Sequence, residues 1–237
     1  MYKKATLIFY NLVVILFCAS AHNSEYVITV KSKNLKYGKL IYDDSILIKQ
    51  IKKTNKIQLN IDEPKRLYIQ NSKTRNYLFF FIEQGKHTIT IDLDNKTISS
   101  KTSKLSQENA ETIKIKNHYD SLNEVYLQKI TNNQDSADYY NDVLISINKQ
   151  YHKTYYNWCL KHPSSFISLS FLNFTTHSYL TIGITKEEIN ALFNLLDNRL
   201  YNYPTYKECE KYIATYINNP DYKIEEPPTP LWNPRTK

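Results

Sequence analysis

Between residues 26 and 100 the chain alternates apolar and polar positions in short bursts. "YVITVKS" (26–32), "SILIKQI" (45–51), "KIQLNID" (56–62), "KRLYIQ" (65–70) and "KHTITID" (86–92) each repeat with a period of two, the spacing of a half-buried strand. "YLFFFIE" (77–83) breaks the alternation with a continuous aromatic run, which predicts a central strand covered on both faces. Turn signals at Tyr37-Gly38, Asp43-Asp44, Glu63-Pro64, Gln84-Gly85 and Asp94-Asn95 separate the bursts. Six or seven short strands at this spacing predict an antiparallel β-sandwich.

The period changes near residue 102. Ile113, Ile115, Tyr119, Leu122, Val125, Tyr126 and Ile130 predict a helix over 105–132. Asp135 is placed to cap a second helix that runs to about Leu160 through Val143, Leu144, Ile147, Tyr151, Tyr155 and Trp158. Pro163 stops it, because the residue before a proline disfavours helical geometry. Ser164 or Ser165 then caps a third helix. Thr185-x-x-Glu188 and Thr205-x-x-Glu208, the latter with Pro204 in front, read as capping boxes for a fourth and a fifth. The expected fold class is α+β: an N-terminal antiparallel sandwich (22–101), an all-helical region (102–219) and a proline-rich tail (220–237) expected to be disordered.

Residues 1–21 read as an export signal. Lys3 and Lys4 precede an apolar run from Ala5 to Phe17, and Ala19-Ser20-Ala21 supplies the small-x-small cleavage pattern. Cleavage is expected after Ala21. Cys18 offers a competing reading as a lipid-bearing cysteine, but Phe17 stands where that chemistry wants a small residue. No later segment is apolar enough to cross a bilayer. The expected location is the periplasm or cell envelope.

The formal charge is +8, and removal of Lys3 and Lys4 with the leader lowers it by two. The lysines are scattered, and the four arginines (66, 75, 199, 235) form no cluster. A solvated basic face, loosely attracted to an anionic surface, fits better than a nucleic-acid platform, so no nucleic-acid partner is expected. Three glycines leave no phosphate-cradling loop.

"NWCLKHPSSF" (157–166) crowds a cysteine, a histidine and two serines together. Read structurally it is a helix–turn–helix corner. Read chemically, Cys159 and His162 would be nucleophile and base, but no orienting residue follows. Cys159 and Cys209 are candidates for a disulfide; packing as buried free thiols is the equal alternative. There is no C-x-x-C. His87, His118, His152 and His177 show no zinc-like spacing, and His118 and His152 are expected at the surface. The pairs Asp43/Asp44, Glu187/Glu188 and Glu225/Glu226 fit a turn, a helix start and the tail. Asn95-Lys-Thr97 and Asn173-Phe-Thr175 match the glycosylation sequon, which matters only in a eukaryotic secretory pathway. No catalytic residue, metal ligand or cofactor site is expected.

Asp44, Ser45, Pro64, Phe80, Glu83, Gly85, Pro163, Ser165 and Ser168 fall in an order with a family likeness. The order is Asp-Ser before a strand, Pro before another, an aromatic strand ending in Glu-x-Gly, then helices with a Pro-x-Ser turn. Over about residues 26–215 this resembles the domain of unknown function that precedes the thioredoxin-like module in bacterial envelope thiol-disulfide oxidoreductases. The family's redox chemistry resides in a W-C-x-x-C motif of that module, and these 237 residues contain none. The resemblance therefore implies an exported, non-enzymatic accessory or binding protein whose partner is an unknown protein or small molecule. The alternatives are a thiol-redox participant using Cys159 and Cys209, as a reversible disulfide or as substrate of a thioredoxin-fold partner, and a hydrolase with an unrecognised site.

Overall fold

The computed structural model describes residues 23–32, 38–42, 45–71, 77–132 and 137–219, without the side chains of 23 and 179–181. The expectations about the leader, Ala21, Cys18, Asp43, Asp44, the Asp135 cap and the tail fall outside the described residues. The fold is mixed α+β, with strands first and helices after them.

The strands are β1 (Asn23–Lys31), β2 (Gly38–Tyr42), β3 (Ser45–Ile48), β4 (Thr54–Asn60), β5 (Lys65–Asn71), β6 (Tyr77–Ile82), β7 (Lys86–Asp92) and β8 (Thr97–Ser100). They form two four-stranded sheets, ordered β4-β1-β7-β8 and β3-β2-β5-β6. One apolar cluster draws on both: Tyr26, Ile28 and Val30 from β1 and Ile89 and Ile91 from β7 join Leu40, Leu67, Ile69, Phe80 and Ile82 from the other sheet.

Two strand expectations are corrected. The sheets are not wholly antiparallel, because β1 runs parallel to β7 from Glu25↔Lys86 to Lys31↔Asp92. Between those strands the chain builds the whole second sheet, so it returns from a distance that permits either direction. The aromatic strand β6 is at the edge of its sheet, not its centre. Its run is continuous because Leu78, Phe80 and Ile82 enter the core while Phe79 and Phe81 gain cover on the other face. At that edge Asn109 acts as a substitute strand. Its side-chain carbonyl accepts from the Phe81 N–H at 3.0 Å and its amide donates to the Phe81 carbonyl at 2.8 Å.

The helices are α1 (Lys104–Asn132), α2 (Ala137–Lys161), α3 (Phe166–Ile182), α4 (Lys186–Leu195) and α5 (Pro204–Tyr212), the last continued by a wide turn over Ile213–Ile217. Glu83 anchors the start of α1: its carboxylate accepts from the Ser103 hydroxyl at 2.7 Å, and Ser103 in turn accepts from the Ser106 N–H. Gly85, two residues on, has φ +128°, and a Cβ there would come 3.0 Å from the His87 ring. The Glu83-x-Gly85 phrase thus joins β6, a tight turn and a helix start.

The described residues divide into two compact units between Ile113 and Lys114. In the helical unit α3 packs against α2, α4 and α5, which matches a helix apolar on nearly every side. Ser165 caps it by accepting from the Ile167 N–H, and Gly183 closes it in the left-handed conformation at φ 75°. The Thr185–Glu188 box opens α4 with both reciprocal bonds. The Thr205 box does not form. Tyr203 is the cap of α5, without a side-chain bond, and Pro204 is the first helical residue. Proline's fixed φ suits that position, and it places Thr205 inside the turn, not before it.

Candidate functional site: a helix corner and an outward sheet face

The corner between α2 and α3 holds the cluster that sequence singles out. His162 donates from Nδ1 to the Trp158 carbonyl at 2.9 Å, and its ring stacks on Trp158 with centroids 4.1 Å apart. The Ser168 hydroxyl donates to the His162 carbonyl at 2.8 Å. The Asp197 N–H reaches the Pro163 carbonyl at 3.1 Å. Every one of these bonds ties down backbone at a chain reversal, which is what a buried corner requires.

Cys159 and Cys209 are free thiols, each fully buried. Burial pushes both up to about 12. A thiol so held carries almost no thiolate at neutral pH, so neither is an activated nucleophile in this conformation. Cys209 points its sulfur at the Asn173 side-chain carbonyl, 3.7 Å away. The His162 ring bonds the Trp158 carbonyl, and its backbone N–H donates to the Cys159 carbonyl at 3.0 Å.

His152 departs from expectation. It is buried, not at the surface, with the Phe174 and Phe171 rings of α3 stacked near it at centroid distances of 5.6 Å and 6.4 Å. Burial pulls it down to about 4, and its Nδ1 has no hydrogen-bond partner. The unfolded chain takes up a proton near pH 6.5, the folded one only near pH 4. The neutral ring therefore contributes full stability above pH 6.5 and loses it as the pH falls toward 4. The expected loss across that window is about 2 kcal/mol, part of the full linkage value being screened by water at the ring edge. Urea titrations of the wild type and His152→Phe at pH 7 and pH 4.5 check this. The aromatic variant keeps the stacking and loses this component of the pH dependence.

Among the described residues no group of three or more His, Cys, Asp or Glu side chains is placed to hold a metal ion. Among the described residues no helix is long and apolar enough to cross a membrane.

The second sheet supplies a feature that sequence reading missed. On its face away from the core, Ile46, Ile41, Tyr68 and Phe79 are successive register partners across all four strands. Beside that row run Lys39, Gln70 and Tyr77, and on its other side Arg66 and Phe81. Ile46 is 47% exposed and Tyr77 51%. The Arg66 guanidinium lies over the Phe79 and Phe81 rings, 5.1 Å and 5.3 Å from their centroids, and donates to the Tyr68 hydroxyl at 3.2 Å. It makes no ion pair with a described carboxylate. The signal for this face was apolar residues at both parities of β2 and β6, readable as an outward row only once the strand pairing is known.

The outward face of the first sheet differs. Glu25 pairs with Lys86 at 3.9 Å, and hydrogen bonds from the backbone and side-chain N–H groups of Asn95, with a smaller part from the Lys31 charge, hold the Asp92 carboxyl below its usual range. That face sets Glu25 and Asp92 beside Lys31, Lys56 and Lys86; the outward strand positions of the second sheet carry Lys39 and Arg66 and no described acid.

Comparison with known proteins finds no match to a family model, a curated protein or a solved structure.

Proposed function

We propose that this protein is an exported, non-enzymatic binding module of the bacterial cell envelope, built as a two-sheet sandwich followed by helices. The apolar cluster common to both sheets supports the sandwich. The observation that carries binding is the outward row of the second sheet. A semi-exposed aromatic and aliphatic surface with a stacked arginine is the composition of an interface centre, where Tyr, Phe and Arg act as anchors. The resemblance to the domain that precedes envelope thioredoxin-like modules fits this reading, because Phe80, Glu83, Gly85, Ser165 and Ser168 serve packing, turns and caps. Thiol exchange through Cys159 and Cys209 draws no support from two buried thiols with raised proton affinity.

The test is site-specific photo-crosslinking in the cell envelope. A crosslinker at Tyr77 is compared with one at Gln58, an exposed position on β4 in the other sheet. The expected result is an adduct specific to position 77, retained when Cys159 and Cys209 are both changed to serine. Equal labelling at 58 and 77 overturns the binding face. An adduct lost only in the double serine variant transfers the function to thiol exchange.

A further inference from the structure

Resting on that binding reading, we propose that the outward face of the second sheet docks on an anionic lipid bilayer. Two observations converge. The first is the row Ile46–Ile41–Tyr68–Phe79 with the half-exposed Tyr77 beside it, three strand spacings or ~14 Å wide. Aromatic rings with a polar tip settle at the headgroup boundary, where one end stays wet.

The second observation is the charge around it. Arg66 and Lys39 stand on the face itself. Lys49, Lys52 and Lys53 lie exposed on the segment after β3. That segment leaves the same end of the sheet, where the Ile51 N–H donates to the Gly38 carbonyl at 3.0 Å and Gly38 begins the strand that carries Lys39, and it joins the first sheet at Lys53, whose carbonyl accepts from the Val30 N–H at 2.9 Å. None of these five cations makes an ion pair with a described carboxylate. Arg66 and Lys39 on an apolar floor, with Lys49 and Lys52 on the adjoining segment and no described acid paired to any of them, call for a partner that is anionic and flat.

The other occupants fit less well. A second copy would set Arg66 and Lys39 against like charges. A sugar ring would need a bare aromatic face, but the guanidinium already covers Phe79 and Phe81. The same stacking leaves the remaining guanidinium N–H groups of Arg66 available to a phosphate, a group Arg recognises through its planar fork.

The experiment is vesicle flotation with the chain as purified from its own envelope. Vesicles of phosphatidylcholine alone are compared with vesicles in which about one-third of the lipid is phosphatidylglycerol. Comparison between variants cancels whatever the N-terminal residues contribute. The expected result is partition into the anionic vesicles that weakens at high salt. Arg66→Gln and Lys39→Gln each lower it about fivefold, and Tyr77→Ser lowers it at both salt concentrations. Lys56→Gln, on the outward face of the first sheet, changes it by less than about twofold, since only charges near the surface contribute. Circular dichroism checks that each variant is folded. Absence of anionic preference, or equal loss from Lys56→Gln and Arg66→Gln, overturns the bilayer. If a protein adduct at position 77 persists while vesicles are not bound, the lipid assignment fails and the binding module stands. If neither occurs, both fail.

Discussion

Phe80→Ala is expected to destabilise the sheet unit by about 3–5 kcal/mol. Phe80 has no exposed surface and sits among Leu67, Ile69, Ile82 and the β1 and β7 side chains. Truncation removes the transfer energy of a phenyl ring and leaves a cavity that residues held on two hydrogen-bonded sheets can only partly fill. Amide exchange along β5 and β6 reports it directly, speeding by about two to three orders of magnitude if these strands open with the whole unit. Its neighbours Phe79 and Phe81 give a contrast within the same strand. Phe79→Ala faces outward, leaves the core filled, and is expected to cost about 1 kcal/mol, through lost contact with Arg66 and Tyr68. A Phe80→Ala effect no larger than that of Phe79→Ala would mean the inward and outward assignments of β6 are wrong.

Asn109→Ala is the second large effect, about 2–4 kcal/mol. The side chain is buried and satisfies both backbone groups of Phe81. Its loss orphans a buried N–H and a buried carbonyl at once, each costing about 1–3 kcal/mol, less whatever water can enter. Asn109→Asp separates the two bonds. The carboxylate still accepts from the Phe81 N–H but faces the Phe81 carbonyl with an oxygen, so its destabilisation is expected to ease as acid protonates it. Equilibrium urea unfolding of both variants from pH 7 to pH 4 measures this. An alanine variant as stable as wild type would remove the substitute-strand role. Opening this edge is also expected to raise aggregation, since an unpaired strand edge recruits other chains.

What could be read from sequence was what short-range physics controls. The helix over Lys104–Asn132 begins within one residue of its expected start, and Ser165 and the Thr185–Glu188 box cap as anticipated, because caps and the 3.6-residue period act over a few positions. Thr205 failed where two local signals competed and the proline took precedence. Strand β2 (Gly38–Tyr42) carries no alternating signal, because Gly38 looks like a turn and only four residues follow it in the strand. The edge position of β6 and the parallel β1–β7 pair depend on partners far along the chain, which no local pattern encodes. His152 is buried because α3 supplies Phe171 and Phe174 over it; nothing on its own helix marks it. The outward row was hidden for a similar reason. Ile41, Tyr68 and Phe79 come from three strands, and they become one surface only through register.

The parallel pairing of β1 also sets the order in which the chain can complete its first sheet. Strand β1 lies between β4 and β7, and its β7 partner comes about sixty residues later. Until residue 92 has been made, β1 has an unfilled side, and the sheet cannot close. Closing so large a loop carries an entropic cost that must be met before the pairing returns any stability. A chain organised this way stays open during synthesis longer than a meander of neighbouring hairpins would. Truncations that end before β7 are incomplete at the middle of the sheet, not at its rim.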